Sequence, residues 1–218
     1  MKTGAKGVLH ATRYFLIPYL LLLCTCLVLK LLYSRADIYF AVNSLYSAWA
    51  DAAAPYITDL GDGITIIVIS LLLTLYSYRN AFLLFTSYLI TSAVAQLLKY
   101  GFDAPRPRVY FEKELSRIHF VKNVYIHGSH SFPSGHTVTA FSAGVVLTYL
   151  IRERMWGLLC LLMAVLVGYS RMYLSQHFFE DVTVGSAIGA FVTVLWLGYI
   201  DQRKFIKSPR WNRGIMKI

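Results

Sequence analysis

Three short polar clusters interrupt an otherwise apolar chain, and their residue types suit anion binding and proton transfer. The first holds Lys99, Pro105, Arg106 and Pro107. The second holds Ser131, Pro133, Ser134, Gly135 and His136, and the third Ser170, Arg171, His177 and Asp181. Lys99, Arg106 and Arg171 are three cations gathered without matching acids, which implies an anionic ligand. Arg offers a planar fork that fits phosphate oxygens two at a time, and Lys adds a point charge. Pro133, Ser134 and Gly135 read as a helix start. Free N–H groups and the positive end of a helix favour phosphate there, and Gly135 lets the backbone come close. His177 and Asp181 are four apart, so on a helical turn they share a face. The carboxylate then accepts a proton from one ring nitrogen, fixes the tautomer and leaves the other nitrogen as a nucleophile. This is the base-and-orienter logic of a catalytic triad with the histidine itself attacking. His136 is left to protonate a departing alkoxide.

Each residue alone has a plainer reading: an interfacial histidine, a turn at Arg106-Pro107, or a snorkelling Lys99 or Arg171. The clusters gain meaning from the elements that must bring them together. The chain has 218 residues, 57% hydrophobic and 15% charged, with mean hydropathy +0.54. That balance excludes a disordered chain and leaves too few polar residues to cover a water-soluble enzyme. Crossing a bilayer takes about 20 apolar residues in a helix. Six runs are candidates: Tyr14–Leu32, Ile64–Tyr78 (opened by Gly61-Asp62-Gly63), Ala81–Leu98, about Pro133–Ile151, Trp156–Tyr169 and Val182–Ile200. The first is too long for a signal-peptide core and reads as an uncleaved anchor. The expected fold is all-α: one polytopic bundle of six transmembrane helices over a single domain, residues 1–218. Gly185 and Gly189, with Ala140 and Gly144, would let the fourth and sixth spans approach closely.

The net charge of +10 reports orientation. With six spans, one side carries 12 Lys and Arg, including Lys2 and Lys217, against two acids; the other carries nine against nine. Positive-inside then places both termini in the cytoplasm and the three clusters on the outer, periplasmic face. Cys24, Cys26 and Cys160 form no metal-binding spacing and read as small buried apolar residues.

The pattern Lys-x6-Arg-Pro, Pro-Ser-Gly-His, Ser-Arg-x5-His-x3-Asp resembles the signature of the type 2 phosphatidic acid phosphatases, the PAP2 superfamily. Its parts stand here as Lys99, Arg106, Pro107; Pro133, Ser134, Gly135, His136; and Ser170, Arg171, His177, Asp181. The likeness covers roughly residues 60–200. It implies metal-independent hydrolysis of a phosphate ester through a phosphohistidine, with no cofactor. By the same resemblance His177 is the nucleophile, Asp181 its partner and His136 the acid. Lys99, Arg106, Ser134, Gly135 and Arg171 would bind the phosphate. The family also includes soluble vanadium haloperoxidases, a branch that six spans in a short chain argue against.

The expected partners are a phosphorylated lipid substrate and membrane lipids, with no nucleic-acid motif and no signal for oligomeric state. The compact size and the basic segment before Pro133 look like the small lipid A phosphatases of this family. Lipid A is therefore the first expected substrate. Undecaprenyl pyrophosphate, phosphatidylglycerophosphate and phosphatidic acid are alternatives, and a non-catalytic lipid-binding or transport protein is the reading from another class. In the connection 99–132, Arg108, Lys113, Arg117 and Lys122 interleave with Tyr110, Phe111, Phe120 and Tyr125. This segment reads as a solvated amphipathic loop or a headgroup seat, and His119, His127 and His130 as entrance-lining or solvated. With no carboxylate beside His127, His130 and His136 in the sequence, no metal site is expected.

Overall fold

The computed structural model describes residues 4–216; Lys2 and Lys217 lie outside them. Among the described residues every regular element is helical. In chain order these are α1 (Ala5–Ala11), α2 (Arg13–Leu32), α3 (Arg35–Asn43), α4 (Ala48–Asp59), α5 (Gly63–Thr74), α6 (Tyr78–Phe102), α7 (Pro107–Tyr110), α8 (Gly135–Ile151), α9 (Arg154–Tyr173), α10 (Phe179–Ile200) and α11 (Pro209–Asn212).

Four helices are long and apolar enough to cross a bilayer: α2, α6, α9 and α10. The pair α4 and α5, bent by 54° at Leu60–Asp62, makes a fifth if counted as one broken span. Among the described residues four helices, or five with the bent pair, thus meet the requirement, and the expected count of six is not confirmed. The run from Ile64 stops at Thr74 because Leu75–Ser77 turns, and Ser77 then caps α6 by accepting the Asn80 N–H at 3.3 Å. At 1.5 Å per residue the 12 residues of α5 reach only about 18 Å, well short of a ~30 Å hydrocarbon core. The 17-residue α8 falls short more modestly, at about 25 Å.

The short α8 is nevertheless the centre of the bundle, packed on α6, α9 and α10. Its Phe141, Val145 and Val146 bury against Phe15 and Tyr19 of α2, Leu161 and Ala164 of α9, and Val194 of α10. Small residues set the closest approach. A Cβ on Gly189 would lie 2.4 Å from the Val138 carbonyl oxygen, and one on Gly185 would lie 2.9 Å from that of Ser134. The glycines of α10 therefore lie on the first turns of α8, where His136 stands. Outward, α2 leaves Ile17, Leu21 and Leu31 exposed, as a lipid-facing surface requires. Cys24 also faces outward instead of being buried.

The connection before α5 and the segment 103–134 are built structure. Asn43 of α3 donates to the His119 carbonyl at 2.8 Å and accepts its N–H at 2.9 Å. Tyr39 bonds Ser175 at 2.9 Å and stacks on Phe111. Phe111, Ile118 and Val121 are buried, so this basic, aromatic segment is anchored to α3 and α9 rather than wholly solvated. His119 is structural as well: its Nε2 lies 2.9 Å from Asp51 and its ring stacks on Tyr46 at 4.1 Å. Together these pieces roof the end of the bundle to which all three polar clusters belong.

Candidate active site

His177 and Asp181 do not share a helical turn. His177 sits in the linker between α9 and α10, 1% exposed, and Asp181 in the first turn of α10. Arg171, at the end of α9, holds that linker: its carbonyl accepts the N–H groups of Gln176 at 3.0 Å and His177 at 3.2 Å. Asp181 Oδ2 accepts the Phe178 N–H at 2.8 Å and the Ser131 hydroxyl at 2.5 Å. The same oxygen is 3.5 Å from His177 Nδ1, and that nitrogen has no hydrogen-bond partner among the described residues. The pair is in register but longer than a hydrogen bond. Burial, and then the charges of Arg171, Arg106 and Lys99, hold the His177 imidazole well below its ordinary pKa. The ring is therefore neutral at neutral pH, the state a nucleophile needs.

The three cations come from three elements and are held by neutral groups. Lys99, near the end of α6, donates to the His130 carbonyl at 2.8 Å. Arg106, 8% exposed, donates to the Ser129 carbonyl at 2.9 Å, the Gln176 side-chain oxygen at 2.9 Å and the Gln176 carbonyl at 3.2 Å. Arg171, 7% exposed, donates to Thr58 Oγ1 at 2.8 Å, and its Nε is unpartnered. Among the described residues none of the three forms an ion pair within 4.0 Å. Burying a cation is costly without compensation. Arg106 and Arg171 are buried so, and half-buried Lys99 adds a third charge; cations placed without a carboxylate partner suit an anion.

Ser134 is fully buried; its N–H donates to the Asp181 carbonyl at 3.0 Å and its hydroxyl accepts from Thr137 at 2.9 Å. The first of these bonds ties the start of α8 to the start of α10. A Cβ on Gly135 would meet nothing nearer than Lys99 Cε at 3.8 Å, so that backbone is open toward the Lys99 side chain. His136 follows on the next residue. It borders a cavity of about 160 Å³ shared with Gly61, Tyr88, Gln96, Lys99 and Gly135. Of His127, His130 and His136, two do have carboxylate neighbours: Asp103 is 3.3 Å from His130 Nδ1, and Asp62 is 3.6 Å from His136 Nε2.

Sequence reasoning missed Ser131, Gln176 and Thr58 as holders of the site and Asp62 as a neighbour of His136. Gln176 could have been suspected from its place beside His177. Thr58 and Asp62 stand in a connection read only for its charge and a helix start.

The model of the PAP2 superfamily matches residues 80–205. The chain belongs to this superfamily, and it is an integral membrane phosphoric ester hydrolase. It is similar to phosphatidylglycerophosphatase B of Bacillus subtilis, 32% identical over 180 residues, 75% of this chain and 87% of that protein. It also resembles lipid A 4'-phosphatase of Bacteroides thetaiotaomicron, 30% identical over 93 residues, 43% of this chain; the match spans only 40% of that protein's length. Among solved structures, the crystal structure of Aquifex aeolicus LpxE superposes with TM-score 0.67 at 25% identity, covering 75% of this chain and 94% of that one.

Proposed function

We propose that the chain, as one membrane-embedded phosphatase domain of residues 1–218, removes phosphate from a lipid at the outer, periplasmic face of a bacterial inner membrane, with both termini in the cytoplasm. The reaction runs through a phosphohistidine. Lys99, Arg106, Arg171, the Ser134 hydroxyl and the backbone at Gly135 bind the phosphate. His177 presents Nδ1 to Asp181, so Nε2 attacks phosphorus. As the phosphorus–oxygen bond of the ester breaks, His136 gives a proton to the departing oxygen. Water, deprotonated by His136, then attacks the phosphohistidine and releases phosphate and free His177. The observation that carries this reading is the set of three cations, two of them Arg buried without a carboxylate partner, around a buried neutral histidine.

Lipid A is the first proposed substrate, supported by the likeness to lipid A 4'-phosphatase and by the basic segment 108–122. Phosphatidylglycerophosphate is the second, supported by the longer match to phosphatidylglycerophosphatase B. The test is phosphate release by purified protein in detergent from lipid A, phosphatidylglycerophosphate, undecaprenyl pyrophosphate and phosphatidic acid, with and without chelator. Turnover is expected to survive chelation and to be lost in His177→Ala and His136→Ala variants that remain folded. Normal turnover by folded His177→Ala would overturn the mechanism. Loss of wild-type turnover on chelation would overturn its metal independence.

A further inference from the structure

We infer that Asp62 is a positioning residue for this reaction: its carboxylate, fixed at the start of α5, orients His136 and favours the protonated ring from which it gives a proton to the leaving oxygen. The inference rests on the reading of His136 as the acid. Asp62 divides its two oxygens between two tasks. Oδ1 accepts the Ile64 N–H at 2.7 Å and caps α5, while Oδ2 faces His136 Nε2 at 3.6 Å. The cap immobilises the carboxylate, so the oxygen turned to the histidine is held by backbone.

The turn that carries Asp62 is itself pressed onto His136. A Cβ on Gly61 would lie 2.6 Å from the His136 carbonyl oxygen and 2.6 Å from Val167 Cγ1; one on Gly63 would lie 2.2 Å from the Tyr88 hydroxyl. Only glycine admits such contact on either side of Asp62. The spacing between Asp62 and His136 is thus set by two backbones in contact, more rigidly than two exposed side chains would manage.

Charge gives this contact a purpose. The charged groups acting on His136 are Arg171, Arg106 and Lys99, all cations, and Asp62, the one anion among them. Burial first, and then the cations that bind phosphate, disfavour the imidazolium that an acid must be, and a nearby carboxylate favours it. Asp62 supplies that carboxylate. With Nε2–H directed to Asp62, Nδ1 is the nitrogen that gives its proton to the leaving oxygen and later accepts one from water.

The test separates leaving groups that need a proton from those that do not. Asp62→Asn keeps the cap, because Asn caps helices as well as Asp, and removes the charge. In full-length protein in detergent, kcat and KM are measured on a short-chain phosphatidic acid, whose alkoxide needs protonation, and on p-nitrophenyl phosphate, whose phenolate does not. General acid catalysis is worth about 10²–10⁴-fold. The loss of kcat on the alkyl ester should therefore exceed the loss on the aryl ester at least ~10-fold, with KM changed less than ~3-fold. Asp62→Ser, another good cap, should behave alike and stands in if the Asn variant does not fold. Equal losses on both esters, or no loss on either, overturn the inference. His136→Ala distinguishes the levels: if it lacks the same selectivity, the assignment of His136 fails; if it shows it and Asp62→Asn does not, only the role of Asp62 fails.

Discussion

Asp181→Asn should reduce kcat by about three orders of magnitude without unfolding the protein. The substitution keeps the side-chain volume, and the amide oxygen can still accept the Phe178 N–H now bonded at 2.8 Å. The start of α10 therefore survives. What disappears is a negative charge 3.5 Å from His177 Nδ1. Two unit charges at that distance attract by about 5 kcal/mol at an effective dielectric near 20. When Nε2 takes the phosphoryl group, the ring becomes cationic, so this attraction is gained on the way to the transition state. At 1.36 kcal/mol per tenfold change, about 5 kcal/mol is between 10³- and 10⁴-fold in rate, of which about 10³-fold is the expected lower bound. The assay is phosphate release by purified protein, with acid-quench trapping of phosphohistidine and a thermal unfolding scan. KM and Tm should change little, and trapped intermediate should form slowly. A kcat within tenfold of wild type would refute the reasoning. So would an equal loss in Ser131→Ala, which removes the 2.5 Å hydroxyl contact to Asp181 but keeps the charge.

Gly189→Ala would place a Cβ 2.4 Å from the Val138 carbonyl oxygen and push α10 from α8. Overpacking of this kind costs about 1–3 kcal/mol, so Tm measured in detergent should fall, whereas Gly135→Ala, with 3.8 Å to its nearest neighbour, should keep Tm. The pH dependence follows from the depressed pKa of buried His177. In the unfolded chain this imidazole takes up a proton near pH ~6.5, while in the folded chain it stays neutral to lower pH. The unfolded state then binds more protons across that window, so stability rises with pH up to ~6.5 and is lost as pH falls below it. Thermal scans from about pH 4.5 to 7 should show the slope, and His177→Ala should lessen it. For the same reason the acid limb of kcat/KM set by His177 should lie below ~6.5.

How much of this was legible in the residues depends on how far apart the partners are in sequence. Composition and hydropathy sufficed for an all-helical membrane protein, because a bilayer tolerates few other backbones. The spacing of Lys99, Arg106, Ser134, Gly135, His136, Arg171, His177 and Asp181 pointed to phosphate chemistry. These residue types carry their function wherever a fold gathers them. The apolar run between Ile64 and Tyr78 continues through Leu75 and Tyr76 while the backbone turns after Thr74, so hydropathy does not mark the end of this helix. Nor does hydropathy report the 54° bend between α4 and α5.

Packing decided the rest. His119 reads as a loop histidine in sequence, yet it contacts Asp51, 68 residues away. Arg171 finds Thr58 across 113 residues, and Asp181 finds Ser131 across 50. Asp62 stands beside His136 because Gly61 lets its turn close onto the start of α8 and Gly63 lets it close onto Tyr88 of α6. Local sequence encodes which side chains share a helix face; it does not encode which distant backbone will press against them. By itself the sequence determined the reactive groups and the membrane that surrounds them. Only the tertiary structure decided that Arg106 and Arg171 are buried with no carboxylate within 4.0 Å among the described residues, that burial holds the His177 ring below its ordinary pKa, and that a carboxylate stands beside His136. Those properties arise from burial and close contact between segments brought together by the fold.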